Sequence, residues 1–164
     1  MFRRLLLVLV SMLPVSTYAA EVSLNLVRLN TYMKTTDTGL TLSTIPVNAF
    51  SPTTVYCPPP GHCVLGIHLA AQFSALTPPD PNVAAVIVSV DGSTAGILPN
   101  AVLGLDSTST GGGSNARSFL WMAKGLNPGF HSVQVQLYVA SPTGSGSGGS
   151  ATRTLQIDVY KPLP

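Results

Sequence analysis

Charge is scarce in this chain. Eight Lys or Arg and six Asp or Glu make up 9% of 164 residues, while 45% are hydrophobic. Disorder needs the opposite balance, low hydrophobicity with high charge, so a packed domain is expected. A formal charge of +2 is too small for the basic field that phosphate neutralisation requires, which excludes a nucleic-acid partner. Three histidines and two cysteines are a thin stock for acid–base or metal chemistry. No repeat recurs at a fixed period of about 20 to 50 residues, which removes solenoids and propellers. Beyond residue 20 there is no apolar run of about 18 residues, so no membrane span is expected in the mature chain.

What is present begins at the N-terminus. Phe2-Arg3-Arg4 gives a positive start, residues 5 to 12 an apolar stretch broken by Ser11, and residues 14 to 20 a small-residue tail. This is the three-part pattern of a secretory signal peptide, and its apolar stretch is too short to span a bilayer. Thr17 and Ala19 suit the −3 and −1 positions, so residues 1–19 are expected to be the signal and 20–164 one domain, exported to the periplasm or the medium. Loss of Arg3 and Arg4 leaves six basic residues (Arg28, Lys34, Arg117, Lys124, Arg153, Lys161) against six acids, a formal charge of zero.

Export makes the cysteines informative. Cys57 and Cys63 enclose Pro-Pro-Pro-Gly-His, and two lone cysteines in an oxidising compartment are best read as one disulfide. On the loop-entropy model its loop gives roughly 2.4 kcal/mol, reduced because the prolines already stiffen the unfolded chain. A redox or metal pair would need Cys-x-x-Cys spacing or more ligands than His62.

Apolar residues recur at period two. Val22, Leu24 and Leu26 alternate with Ser23 and Asn25; Leu65, Ile67, Leu69, Ala71 and Phe73 alternate with Gly66, His68, Ala70 and Gln72, and Val86, Val88 and Val90 follow before the Asp91-Gly92 turn. The cleanest runs are Val133, Val135, Leu137, Val139 and Leu155, Ile157, Val159. Shorter candidates lie at 40 to 45, 53 to 57, 94 to 98 and 118 to 124, giving about eight or nine strands. Segments 77 to 81, 107 to 115 and 141 to 150, rich in Pro, Gly, Ser or Thr, read as loops. The fold class is therefore all-β, an antiparallel β-sandwich of immunoglobulin-like or jelly-roll type. Residues 131 to 140 and 152 to 160 are expected to form a hairpin with Val135 opposite Ile157, the rival being a crossover between sheets that keeps the same parity.

The order Val-Tyr-Cys-Pro…Cys-Val-Leu-Gly-Ile…Ala-Gln-Phe-Ser-Ala (55 to 75), Val-Ser-Val-Asp-Gly (88 to 92), Gly-Leu-Asn-Pro-Gly-Phe-His-Ser-Val-Gln-Val-Gln (125 to 136) and Arg-Thr-Leu-Gln-Ile-Asp-Val-Tyr (153 to 160) resembles a group of uncharacterised exported bacterial β-sandwich proteins. The last two segments also resemble the closing strands of bacterial immunoglobulin-like and fibronectin-type modules. The resemblance implies a sandwich and bacterial export, and transfers no catalytic motif.

Candidate chemistry is sparse. Asp91 has an ordinary role in its turn, Asp37 and Asp80 lie far from any histidine, and Asp106-Ser107 lacks a Gly-x-Ser-x-Gly elbow. His62, His68 and His131 show neither His-x-His nor His-x-x-x-His spacing, so no metal or cofactor is expected. Trp121 and Phe119 alternate with Leu120 and Met122, which suggests a strand buried on both sides with Trp121 in the core. Tyr138 and Tyr160 fall on polar faces and are the binding candidates, a shallow stacking surface with Gln134, Gln136 and Gln156. The expected function is a non-enzymatic structural or interaction module whose partner is a protein or glycan of the cell envelope. The alternatives are a carbohydrate-binding module and a small hydrolase whose Ser, His and Asp meet only in space.

The signal and the cysteine pair generate one prediction. Intact-mass analysis of the exported protein should show loss of residues 1–19, and non-reducing digestion should yield a Cys57–Cys63 cross-linked peptide. Two free thiols or an intermolecular bridge would overturn the disulfide.

Overall fold

Val133, Val135, Leu137 and Val139 are all buried, and the residues between them are only partly covered. A strand with one apolar face must lay it against another, and the computed structural model shows how. It describes residues 26–77, 83–100, 102–104, 115–142 and 144–163. These contain eleven strands and no helix: β1 Leu26–Thr36, β2 Leu40–Leu42, β3 Val47–Asn48, β4 Thr53–Cys57, β5 Cys63–Thr77, β6 Val83–Val90, β7 Ile97–Leu98, β8 Val102–Gly104, β9 Asn115–Leu126, β10 Gly129–Ala140 and β11 Ser147–Pro162. The expected signal, the strand residues 22 to 25 and nearly all of the segments 77 to 81 and 107 to 115 lie outside the described residues.

Two antiparallel sheets enclose one core. The six-stranded sheet runs β1-β11-β5-β9-β7 with β2 also on β11, and the five-stranded sheet runs β3-β10-β6-β8 with β4 also on β10. The count exceeds eight or nine because two edges are interrupted strands. β1 pairs with Arg153 to Pro162 and β2 with Gly148 to Ser150, so together they border one side of β11. β3 and β4 border β10 in the same way. The chain passes between sheets at Ser43, whose carbonyl accepts from Val139 N at 2.7 Å.

From β4 onward every connection crosses from one sheet to the other. That alternation is the winding of a jelly roll, in which consecutive long strands do not pair. The expected hairpin is corrected accordingly: β10 pairs with β3, β4 and β6, and β11 with β1, β2 and β5. The parity holds, for Val135 and Ile157 are both buried in the shared core. A hairpin and a crossover both require odd-numbered residues to point inward, so parity alone could not separate them.

Segment 141 to 150 is also corrected. Residues 147 to 150 begin β11, and buried Ser150 donates from Oγ to Gln72 O at 2.9 Å. Glycine serves close approach here: a Cβ on Gly149 would sit 2.5 Å from Ser74 Oγ. The strand of Trp121 is buried on one side and not two. Trp121 is fully buried, stacks on Phe119 with centroids 5.6 Å apart, and donates from Nε1 to Asn100 O at 2.9 Å, whereas Leu120 is 61% exposed on the outer face.

Two devices tie the sheets together at their rims. Cys57 ends β4 and Cys63 begins β5, so the pair links one sheet to the other; both are buried, with Cα atoms 5.8 Å apart, inside the span of a disulfide. Arg153 on β11 buries its guanidinium, donating from Nε to Ala49 O at 3.3 Å and from Nη1 to Ser150 O and Ala151 O at 2.9 and 2.7 Å. Burial lowers its proton affinity from the usual arginine value.

Among the described residues, Thr53 Oγ1 is a buried hydroxyl with no hydrogen-bond partner. Thr53→Val keeps the branched shape and removes the unsatisfied group, so it should stabilise the fold by about 1 kcal/mol. Equilibrium urea unfolding measures this, and a destabilised variant would mean that the hydroxyl is satisfied in solution.

Candidate functional site

The core fixes which side chains face outward, and two outer faces result. They differ first in charge. None of the residues in β3, β4, β6, β8 or β10 is Asp, Glu, Lys or Arg, whereas the strands of the six-stranded sheet carry Arg28, Lys34, Arg117, Lys124, Arg153, Lys161 and Asp158.

On the six-stranded sheet, Asp158 is the centre of a polar network. Thr31 Oγ1 donates to Oδ1 at 2.6 Å, Gln156 Nε2 to Oδ2 at 2.8 Å, and the Tyr160 hydroxyl to Oδ2 at 3.4 Å; Arg28 Nη1 lies 3.8 Å from Oδ1. Burial raises the proton affinity of Asp158, but these donors and the Arg28 charge together outweigh it and hold the carboxyl below its usual value. Tyr160 is pushed up by burial and by the neighbouring carboxylate. Its ring covers Gly66, where a Cβ would meet Cε2 at 3.0 Å. Across the sheet His68 Nε2 meets Ser118 Oγ at 2.5 Å, beside a shallow depression floored by Ala70 and Ala116 and rimmed by Gln72 and Thr154.

On the five-stranded sheet the prominent feature is aromatic. Phe130 stands directly opposite Tyr56 in the β10–β4 ladder, their ring centroids 5.0 Å apart at 45°. Phe130 is 75% exposed and Tyr56 41%. The pair is rigidly mounted, since Tyr56 precedes buried Cys57, and Cys57 lies opposite Gly129, whose φ of +139° few other residues adopt. Thr54 and Ser132 form the next pair along this face. Beyond them Gln134 Nε2 donates to Asn48 Oδ1 at 2.6 Å, followed by Gln136 and Tyr138.

On the inner side of β10, opposite buried Val55, His131 joins two turns. Nδ1 lies 2.7 Å from Asp91 Oδ2 and Nε2 lies 2.8 Å from Asn127 O, while Asp91 Oδ1 accepts from Ser132 N at 2.8 Å. Both partners of the ring are acceptors, which favours the imidazolium with two N–H donors. Burial opposes that charge, but the hydrogen bonds to Asp91 and Asn127 outweigh it and raise the proton affinity of His131; the His131 and Ser132 donors lower that of Asp91.

The sequence candidates distribute as follows. Cys57 and Cys63 are brought together at disulfide distance. Tyr138 and Tyr160 are not brought together: Tyr138 lies on β10 and Tyr160 on β11, and because the odd-numbered residues of both strands fill the common core, the two tyrosines face away from each other on opposite sides of the sandwich. The single surface expected from Tyr138, Tyr160, Gln134, Gln136 and Gln156 is therefore divided. Among the described residues no three His, Cys, Asp or Glu converge. Phe130 and Tyr56 were missed. Extending the parity of Val133 and Val135 back to Phe130 places a phenylalanine on a polar face, and that was the available signal; the partnership with Tyr56 depends on strand register. Neither a protein-family model nor a curated protein matches the chain.

The His131 pair has a calculable pH dependence. Its raised value means that its stabilisation is fully present below the ordinary histidine value of 6.5 and is lost as pH rises through the folded-state value. The lowered value of Asp91 acts in the other direction, its contribution being present above 3.8 and lost as pH falls. The Tm deficit of His131→Gln relative to wild type should accordingly be larger near pH 5.5 than near pH 8.5. A deficit that grows with pH would contradict the doubly donating imidazolium.

Proposed function

We propose that this chain is exported by its N-terminal signal and acts outside the cytoplasm as a non-enzymatic interaction module, with the outer face of the five-stranded sheet as its contact surface. The observation that carries this reading is the Tyr56–Phe130 pair: a phenylalanine three-quarters exposed, stacked on a tyrosine, on strands anchored beside the cysteine pair. Rigid aromatic side chains bury much area for little ordering entropy, which is why they anchor contact surfaces. The resemblance to exported bacterial sandwiches agrees with a place at the cell envelope.

Two arrangements support the non-enzymatic part of the reading. His68 and Ser118 meet on the six-stranded sheet, where the carboxylate of Asp158 is held by Thr31, Gln156, Tyr160 and Arg28, and the Asp91–His131 pair belongs to the other sheet. The Nε2 of His131, the atom that would take a proton from a nucleophile, already faces the Asn127 carbonyl.

Cosedimentation with washed cell envelopes tests the contact surface. The wild-type protein should pellet with the envelopes, and Phe130→Ala and Tyr56→Ala should lower the bound fraction several-fold while leaving the Tm nearly unchanged. Equal binding by wild type and both variants would remove this face from consideration.

A further inference from the structure

We infer that the ligand of this face is a neutral glycan, bound lengthwise along β10. The inference rests on the reading of the outer face of the five-stranded sheet as a contact surface, and adds the chemical class of what it contacts.

The charge distribution comes first. The five strands carry no Asp, Glu, Lys or Arg, and all six basic residues beyond residue 19 lie in strands of the other sheet, where Arg153 is buried and Lys34 is bound at the rim to Ser51 O and Pro52 O, leaving Arg28, Arg117, Lys124 and Lys161. A polyanion, whether an acidic polysaccharide or a lipid surface, would be drawn to that other sheet. His131, the one ionisable side chain of β10 besides tyrosine, points to the inner side of the strand opposite Val55 and is paired with Asp91 at 2.7 Å. An uncharged ligand is what such a face complements.

The functional groups on the face narrow the class. The Tyr56–Phe130 rings offer exposed apolar surface, which the C–H face of a pyranose ring covers well. Thr54, Ser132, Gln134, Asn48 and Gln136 follow in adjoining positions. Hydroxyls and carboxamides both donate and accept, as a polyol requires. The Gln134–Asn48 hydrogen bond at 2.6 Å uses one amide hydrogen of Gln134 and the oxygen of Asn48, leaving an amide oxygen on one and an NH2 on the other within one step of the ladder. A protein-binding surface would instead need a broader apolar centre than one aromatic pair at the end of an amide and hydroxyl row.

The length of the row sets the ligand size. Phe130 and Tyr138 share the outer face of β10 eight positions apart, which at a strand rise of about 3.3 Å per residue is roughly 26 Å. That accommodates an extended oligosaccharide, with Tyr138 at the far end, and makes a single sugar a poor competitor.

Native affinity electrophoresis of the oxidised, exported protein tests this with hydroxyethylcellulose, galactomannan and laminarin as neutral polymers and alginate as the anionic one. At least one neutral polymer should retard the protein more than alginate does. Phe130→Ala and Tyr56→Ala should weaken that retardation about tenfold, Phe130→Tyr should keep it, and Met33→Ala, on the outer face of the other sheet, should bind as wild type. Oligosaccharides of the same linkage should compete where the monosaccharide does not. No retardation by any neutral polymer, equal retardation of Phe130→Ala, or a preference for alginate would overturn the inference. Envelope material digested with proteinase K, which leaves glycans in place, separates the two levels. If wild type no longer pellets with it while Phe130→Ala already fails to pellet with untreated envelopes, the contact surface stands and the glycan falls; if Phe130→Ala pellets with untreated envelopes as wild type does, the contact surface itself falls.

Discussion

The pairing of β5 with β11 at the middle of the six-stranded sheet is the contact on which the other placements depend. Leu65, Ile67 and Leu69 lie opposite Val159, Ile157 and Leu155, all buried, and they share one core with Val86, Val88, Val135 and Leu137 of the other sheet. A slip of one residue would turn this set to the outer face, at a cost of roughly 1.5 to 3 kcal/mol for each side chain exposed. The register is thereby fixed, and with it the even-numbered positions of β11 beyond the shift at Ser150 to Arg153. Thr154, Gln156, Asp158 and Tyr160 have to face outward, so a carboxylate that would be intolerable in the core sits where Thr31, Gln156 and Arg28 reach it.

The same constraint governs the edges. β1 has a partner on one side only, a liability for any exposed strand. A register shift between Arg28 and Asn30 interrupts its flat ladder, and Lys34 turns across the rim to donate to Ser51 O at 2.9 Å and Pro52 O at 3.3 Å. The hydroxyl of Tyr32 on β1 accepts from Tyr56 N on β4 at 3.2 Å, so the two edge strands bind to one another through a side chain where neither has a ladder partner. This rim also mounts the aromatic pair, because the edge residue Tyr56 is held by Tyr32 on one side and by its link through Cys57 to β5 on the other.

How much of this was legible before the structure follows from the range over which each signal acts. The parity of Val133 to Val139 and of Leu155 to Val159 is local, and it correctly turned Tyr138 and Tyr160 outward. The Asp91-Gly92 turn was legible too, Asp91 adopting a φ of +53° and Gly92 of +76°. The sheet assignment of β10 and β11 is global, and both topologies satisfy the same parity, so the hairpin expectation had nothing local to correct it. Gly148 and Gly149 misled because glycine marks a flexible loop and a crowded ladder equally well, and only the approach of Ser74 separates the two. Phe130 had the outward parity, but its meaning came from Tyr56, seventy-four positions earlier in the chain, and no spacing rule joins them.

Net charge hid the most consequential property of the surface. Six basic residues against six acids beyond residue 19 give a formal charge of zero and say nothing of its distribution. The strands segregate it instead, placing every lysine and arginine beyond residue 19 in one sheet and leaving the other only His131, paired with Asp91, while Asp37 and Asp91 lie in connections. Packed sheets stand about 10 Å apart, and the Debye length at physiological ionic strength is about 8 Å. Arg28 on the outer face of the six-stranded sheet and the row from Phe130 to Gln134 on the other are thus more than a Debye length apart along any path through solvent. The two faces therefore expose different chemistry, Arg28 and Asp158 on one and an aromatic pair with amides and hydroxyls on the other.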